Sequence, residues 1–148
     1  MAEIHPFISH FPIVLIMTAA ILQGMVVFKI QWIHSGLPLF LFGISVVYSI
    51  VTGLSGQDAA IAAAQKIQFN DIELELIQTH EKFANFTIWT SIVVLAGWLW
   101  YYFKYPGSRK LNILAFAFLV LISISVAVTG YYGGIMVMVH GIGVGFGG

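Results

Sequence analysis

The chain alternates long apolar runs with short polar links, and four of the runs are long enough to cross a bilayer, which takes about 20 residues. They cover roughly residues 7–28, 36–54, 80–103 and 110–130, and their central parts contain no Lys, Arg, Asp or Glu. A backbone that crosses lipid must satisfy its own hydrogen bonds, so these runs must be helices. The pattern therefore predicts an all-α protein, a transmembrane four-helix bundle that forms one membrane domain over 1–148.

The links between the runs predict how the spans are arranged. The links 29–35 and 104–109 are short, and short links make neighbouring helices antiparallel. The outer loop 55–79 is longer, and its alanine-rich stretch GQDAAIAAAQKIQF predicts a short extramembrane helix between spans two and three. The tail 131–148 is rich in glycine, and we expect a turn near Gly133–Gly134 that returns the tail toward the bundle.

Composition supports a membrane protein and excludes several kinds of site. Of the 148 residues, 59% are hydrophobic and 8% are charged, whereas soluble domains carry about 25% charge. The chain has no cysteine, which excludes disulfides, thiolate zinc sites, covalently attached c-type haem and iron–sulfur clusters. Its net charge is zero, so we expect no nucleic acid partner.

The charges predict an orientation. Four crossings place both termini on one side of the membrane, together with two basic residues, Lys66 and Lys82, and with the acidic residues Glu3, Asp58, Asp71, Glu73, Glu75 and Glu81. The opposite side receives the basic residues Lys29, Lys104, Arg109 and Lys110 and no acid. Because basic residues near span ends favour the cytoplasm, the sequence predicts a multi-pass protein with both termini in the periplasm.

Four histidines are predicted on that outer side, although they are far apart in the sequence: His5, His10, His80 and His140. Imidazole is the commonest metal ligand near neutral pH, and bundle cores regularly hold cofactors between facing helices. With no cysteine present, haem b with paired imidazoles as axial ligands is the natural candidate. We expect His10 and His80 to face the bundle and to be the leading ligands, with His140 third and His5 weaker because Pro6 pushes it off helical geometry. Four ligands would hold two haems, and two would hold one.

Glycines lie close to the predicted histidine layer. Gly53, Gly133 and Gly134 leave room for a flat macrocycle, so they are candidate cofactor contacts. Small residues four apart are also ordinary packing motifs of membrane helices, and the sequence leaves both interpretations open.

The motifs at the two ends of the chain carry a resemblance. HPFISHFPI at the start, TGLSG at the end of span two, a histidine that opens span three, and TGYYGG and VHGIGV near the end resemble a domain-of-unknown-function family. Its members are small four-helix bacterial membrane proteins similar to membrane b-type cytochromes. The resemblance implies that His5, His10, His80 and His140 occupy the histidine positions of the family. It also implies the bacterial inner membrane, and it names no activity.

The leading functional prediction is a haem b subunit that relays electrons near the periplasmic face, within a larger respiratory or photosynthetic complex. A chain of this size is better suited to an electron-transfer subunit than to a stand-alone enzyme. The expected partners are the lipid bilayer, other subunits of the complex, and a periplasmic cytochrome c or a quinone. Two alternatives stay open: a cofactor-free structural accessory subunit, and a membrane protein that binds copper or zinc.

Overall fold

The computed structural model describes residues 4–30, 32–65 and 68–142, and the predicted features at Glu3 and 143–148 lie outside them. The described residues form five helices, which are α1 (His5–Ile8), α2 (His10–Val27), α3 (Gly36–Ala64), α4 (Asp71–Lys104) and α5 (Arg109–Met138). Because α1 and α2 together form one span, His5–Val27, the structure has four helices long and apolar enough to cross a membrane. The prediction of an all-α protein with four spans is confirmed.

The helices form two antiparallel hairpins that pack side by side. The first hairpin contains α1, α2 and α3, and the second contains α4 and α5. Within the hairpins α2 packs against α3 and α4 against α5, whereas α2 contacts α5 and α3 contacts α4 across the two seams between them. The short α1 lies against α3, where His5 reaches Thr52 and Ser55.

The core runs through the middle of the bundle. Ile16, Phe42, Leu119 and Ile122 are fully buried, one side chain each from α2 and α3 and two from α5. In lipid these side chains gain little from leaving solvent, so the association depends on close packing and on hydrogen bonds between helices. One such bond connects the hairpins, where the fully buried Gln23 donates from Nε2 to the backbone oxygen of Asn112 at 3.0 Å.

Local signals fix the outer start of α4. The Asn70 side chain accepts from Glu73 N at 2.9 Å, and the Glu73 carboxylate accepts from Asn70 N at 2.9 Å, which completes a capping box. The cap satisfies two of the backbone donors that a helix start leaves unpaired. It allows α4 to begin nine residues before His80 instead of at His80.

Three helices extend further on the outer side than the predicted spans. The helical prediction for the alanine-rich stretch is confirmed as far as Ala64, but the stretch continues α3 and is not a separate element. The predicted turn at Gly133–Gly134 is wrong, because α5 continues through both glycines to Met138. A helical glycine costs only about 1 kcal/mol relative to alanine, so two glycines need not end a helix that continues on both sides of them.

Candidate functional site

His5 is the first residue of α1, and its imidazole lies against α3. Its Nδ1 is 3.1 Å from the backbone oxygen of Thr52 and 3.1 Å from Ser55 Oγ. A carbonyl oxygen can only accept, so Nδ1 carries the hydrogen and donates to it. The ring passes directly over Gly56, where an added Cβ would come within 2.9 Å of Cε1. The backbone of α3 therefore holds this imidazole in one tautomer and one orientation.

His80 lies in α4, and its imidazole is held in the same way by α5. Its Nδ1 donates to the backbone oxygen of Thr129 at 2.9 Å. The ring lies over Gly133, where an added Cβ would come within 3.2 Å of Cε1. The prediction that His80 faces the bundle is confirmed by this contact. About two turns below His80, Thr87 Oγ1 and Ser125 Oγ form a 2.8 Å hydrogen bond that keeps α4 against α5.

The two imidazoles belong to different hairpins, and both lie at the outer end of the bundle, His5 against α3 and His80 against α5. Because both rings donate through Nδ1, each keeps its lone pair on Nε2, which is the atom that binds a metal in this tautomer. His5 lies 24 residues from Lys29 and His80 lies 24 residues from Lys104, which is about 36 Å of helix. The hydrocarbon core is about 30 Å thick, so the pair lies at the outer membrane interface.

His10 does not join this pair. Its side chain is exposed, and its Nδ1 lies 2.7 Å from the backbone oxygen of Pro6 in the preceding turn. At 3.6 residues per turn, positions five apart on a helix point about 140° away from each other. Since His5 faces α3, His10 must face outward, and the prediction that His10 faces the bundle is wrong.

His140 is also separate from the pair. It lies beyond the end of α5, with Nδ1 3.6 Å from Glu73 Oε1. Glu73 precedes His80 by seven residues, about 10 Å further out along α4. The continuous α5 explains this position, because without a turn at Gly133–Gly134 the tail cannot return to the level of His80. The four predicted histidines are therefore one pair and two isolated residues.

The three predicted glycines have three different surroundings. Gly133 lies under the His80 ring, as described above. An added Cβ on Gly53 would be 2.7 Å from Ile88 Cδ1, so this glycine permits helix packing and not cofactor contact. Gly134 has no heavy atom within 4 Å of such a Cβ. The Thr52 and Thr129 carbonyls were not predicted from the sequence as part of the site. A repeated segment could have pointed to them, because Thr52 lies in VTGLSG and Thr129 lies at the same position of VTGYYG.

Charge is divided between the two ends of the bundle. Asp58, Asp71, Glu75 and Glu81 are exposed on the outer side, where the histidine pair lies. At the other end Lys104 extends over the Trp100 ring, with Nζ 4.7 Å from the ring centroid. Lys82 is also exposed on the outer side, so among the described residues that end carries more acidic than basic side chains.

The fold and the site define the class of this protein: a multi-pass helical membrane bundle with an imidazole pair at one end. The chain belongs to the family described as "Predicted membrane protein (DUF2231)", whose sequence model matches residues 2–145. No curated protein and no solved structure matches the chain. The family description gives the membrane location and no activity.

Proposed function

We propose that this protein is a b-type haem-binding membrane subunit that relays electrons near the outer face of the membrane, with His5 and His80 as the axial ligands. The observation that carries the proposal is the geometry of the pair. Two imidazoles from different hairpins each donate through Nδ1 to a backbone carbonyl. Ligating histidines in proteins almost always donate their other ring nitrogen to a carbonyl, a carboxylate or water, which fixes the ring and raises its basicity.

The number of ligands favours haem over a bare metal ion. Zinc sites take three or four protein ligands, whereas haem iron takes four from the porphyrin and needs only axial ligands from the protein. Within 4–30, 32–65 and 68–142, no group of three or more His, Asp or Glu side chains is placed to hold a metal ion. A pair of imidazoles is the set that a bis-histidine haem requires, and haem would supply one-electron chemistry there.

The position of the pair limits the electron path. A single haem about 36 Å from the basic end of the bundle is too far from that end to carry electrons across the membrane alone. We therefore propose transfer along the outer face, to other subunits of a respiratory or photosynthetic complex, to a periplasmic cytochrome c, or to a quinone. The acidic outer surface supports a basic soluble partner, because opposite charge speeds diffusional encounter.

The orientation belongs to the same proposal. Basic residues at the end opposite the histidine pair, Lys29, Lys104, Arg109 and Lys110, favour the cytoplasm for that end. We place the protein in a bacterial inner membrane with the histidine pair and both termini on the periplasmic side.

The test is the haem content of the purified protein and its dependence on single histidines. The wild type should show b-type bands in a reduced-minus-oxidised spectrum and contain one haem per chain. His5→Ala and His80→Ala should each abolish the bands. His10→Ala is the matched control, because it removes an exposed histidine from the same span and should leave the haem content unchanged.

Three results would contradict the proposal. A colourless protein with stoichiometric copper or zinc would show a different metal centre. A colourless protein without metal would favour a structural accessory subunit. Two haems per chain, or loss of haem in His10→Ala alone, would show that the ligands are not the pair described here.

A further inference from the structure

Two segments of the first hairpin recur in the second. VTGLSG at 51–56 recurs as VTGYYG at 128–133, which is 77 residues later. HPFISHFPI at 5–13 corresponds to HEKFANFTI at 80–88, which is 75 residues later, with His, Phe and Ile at matching positions. The VTGxxG segment lies in the second long helix of each hairpin, and the other segment lies in the outer part of the first span of each hairpin.

The recurring segments make the same contacts. In each hairpin a histidine in the outer part of the first span donates to the threonine carbonyl of VTGxxG, at 3.1 Å for His5 and 2.9 Å for His80. In each hairpin the ring of that histidine lies over the last glycine of the motif, four residues after the threonine. The histidine, the threonine carbonyl and the glycine thus form one unit, the His–carbonyl–glycine unit, which occurs once in each hairpin.

The correspondence continues through the bundle core. Positions in α2 correspond to positions 75 residues later in α4, and positions in α3 to positions 77 residues later in α5. Several residues that are buried in the first hairpin correspond in this way to residues that are buried in the second. The pairs are Ile16 and Ser91, Gln23 and Trp98, Phe42 and Leu119, Ser45 and Ile122, and Ser49 and Val126. The residue types differ while the positions agree, which is the pattern of a shared backbone and not of chance similarity in apolar sequence.

The two seams between the hairpins also correspond. Each has an apolar groove, of about 420 Å³ between α3 and α4 and of about 370 Å³ between α2 and α5. Four residues that line the first groove have counterparts that line the second. The pairs are Leu39 and Phe116, Gly43 and Val120, Leu95 and Ala20, and Leu99 and Gly24. Corresponding seams of this kind are expected when a twofold axis along the membrane normal relates two hairpins, as in membrane proteins built from parallel repeats.

We infer that the chain is a duplicated helical hairpin and that its two His–carbonyl–glycine units form one site on the pseudo-twofold axis, with Gly56 and Gly133 as equivalent positioning residues. The inference deepens the proposed function and rests on it for the identity of the ligand, a planar tetrapyrrole that takes one imidazole from each hairpin. The geometry of the two units stands without that ligand. A ligand on the axis meets the two imidazoles in equivalent surroundings, so neither hairpin holds it alone.

The test uses alanine at the two positioning glycines. A Cβ at Gly56 or Gly133 would push the ring above it away from the threonine carbonyl. Alanine favours the helix more than glycine does, so a change in the imidazole is not explained by loss of the helix. Gly43→Ala in α3 and Gly130→Ala in α5 are matched controls, since the first added Cβ makes only an ordinary contact of 3.9 Å with Leu95 Cδ1 and the second meets no atom within 4 Å.

The first readout is ¹⁵N NMR of histidine-labelled, haem-free protein, which reports the tautomer of each ring. In the wild type His5 and His80 should both carry the hydrogen on Nδ1, whereas His34, whose Nδ1 accepts from Gly36 N, should carry it on Nε2. Each positioning variant should disturb the tautomer of its own histidine only. An Nε2–H tautomer at His5 or His80 in the wild type would overturn the inference whether or not the protein binds haem.

The second readout is titration with hemin. Gly56→Ala and Gly133→Ala should each weaken binding at least tenfold and by similar factors, and the two controls should stay within twofold of the wild type, about 0.4 kcal/mol. If only one positioning variant weakens binding, the two units are not equivalent. If the wild type shows the expected tautomers and binds no hemin, the proposed function fails while the duplicated site remains.

Discussion

The hydrogen bond between Thr87 and Ser125 gives the sharpest prediction about how the site is supported. It joins α4 to α5 at 2.8 Å, both side chains are buried, and it lies two turns below His80. Hydrogen bonds between membrane helices contribute about 0.6 kcal/mol on average and about 1.7 at most. Ser125 Oγ also reaches the backbone oxygen of Phe83 at 3.4 Å, which recovers part of the loss when Thr87 is removed. We therefore expect a coupling of about 0.5–1.5 kcal/mol.

The perturbation is a double-mutant cycle of Thr87→Val and Ser125→Ala. Valine keeps the volume of threonine and removes its hydroxyl, so packing changes little. Unfolding of the detergent-solubilised protein by SDS, followed by circular dichroism, gives the free energy for each of the four proteins. Ser91→Ala is the matched control, because Ser91 is fully buried in the same helix and its Oγ has no hydrogen-bond partner among the described residues.

The control should change the free energy of unfolding by less than about 0.5 kcal/mol, or increase it, because it removes an unpaired hydroxyl. The reasoning is refuted if the coupling between Thr87 and Ser125 is indistinguishable from zero. It is also refuted if Ser91→Ala costs more than Thr87→Val, since the cost would then come from packing and not from the hydrogen bond.

Three further predictions concern the frame of the bundle. Asn70→Ala removes the α4 cap and should lower the unfolding free energy by about 1 kcal/mol in thermal melts; an unchanged melt would contradict the cap. Gly53→Ala places a Cβ 2.7 Å from Ile88 Cδ1, the free end of a flexible side chain that can move aside, so the bundle should lose no more than about 1 kcal/mol; a larger loss would show that Ile88 is held rigidly. In the cysteine-free chain, an impermeant thiol reagent should label Glu75→Cys from outside intact cells and not Pro106→Cys; the reverse result would invert the proposed orientation.

The spans could be predicted from the sequence because lipid leaves few choices. A run of about 20 apolar residues has no alternative to a helix in a membrane. The helix ends were harder to predict from the sequence, because they depend on local caps and not on hydropathy. Asn70 and Glu73 start α4 well outside the apolar run. Ala64 ends α3 ten residues beyond the predicted span, because alanine continues a helix as readily in water as in lipid.

The histidine pair shows where the sequence interpretation failed and why. Pro6 was expected to hold His5 away from helical geometry, but proline in a first turn loses no hydrogen bond, and α1 begins at His5. With His5 turned toward α3, the helical rotation sends His10 outward. The choice between the two histidines depends on the start of one short helix, which hydropathy does not reveal.

The glycines had two interpretations, and packing decides between them. Gly133 was expected to break α5, yet it continues the helix and makes room for the His80 ring. The shared pattern VTGxxG at 51–56 and 128–133 is visible in the sequence. A comparison of the two halves of the chain would have pointed to Gly56 and Gly133 together.

The central claim is that His5 and His80 hold one haem iron between the two hairpins. Electron paramagnetic resonance of the oxidised protein tests it most directly, because a low-spin ferric signal reports two strong axial ligands. The account predicts one bis-imidazole signal in the wild type and in His10→Ala, and its loss in His5→Ala and in His80→Ala. A bis-imidazole signal that survives either of those two variants, or that disappears in His10→Ala, would contradict it.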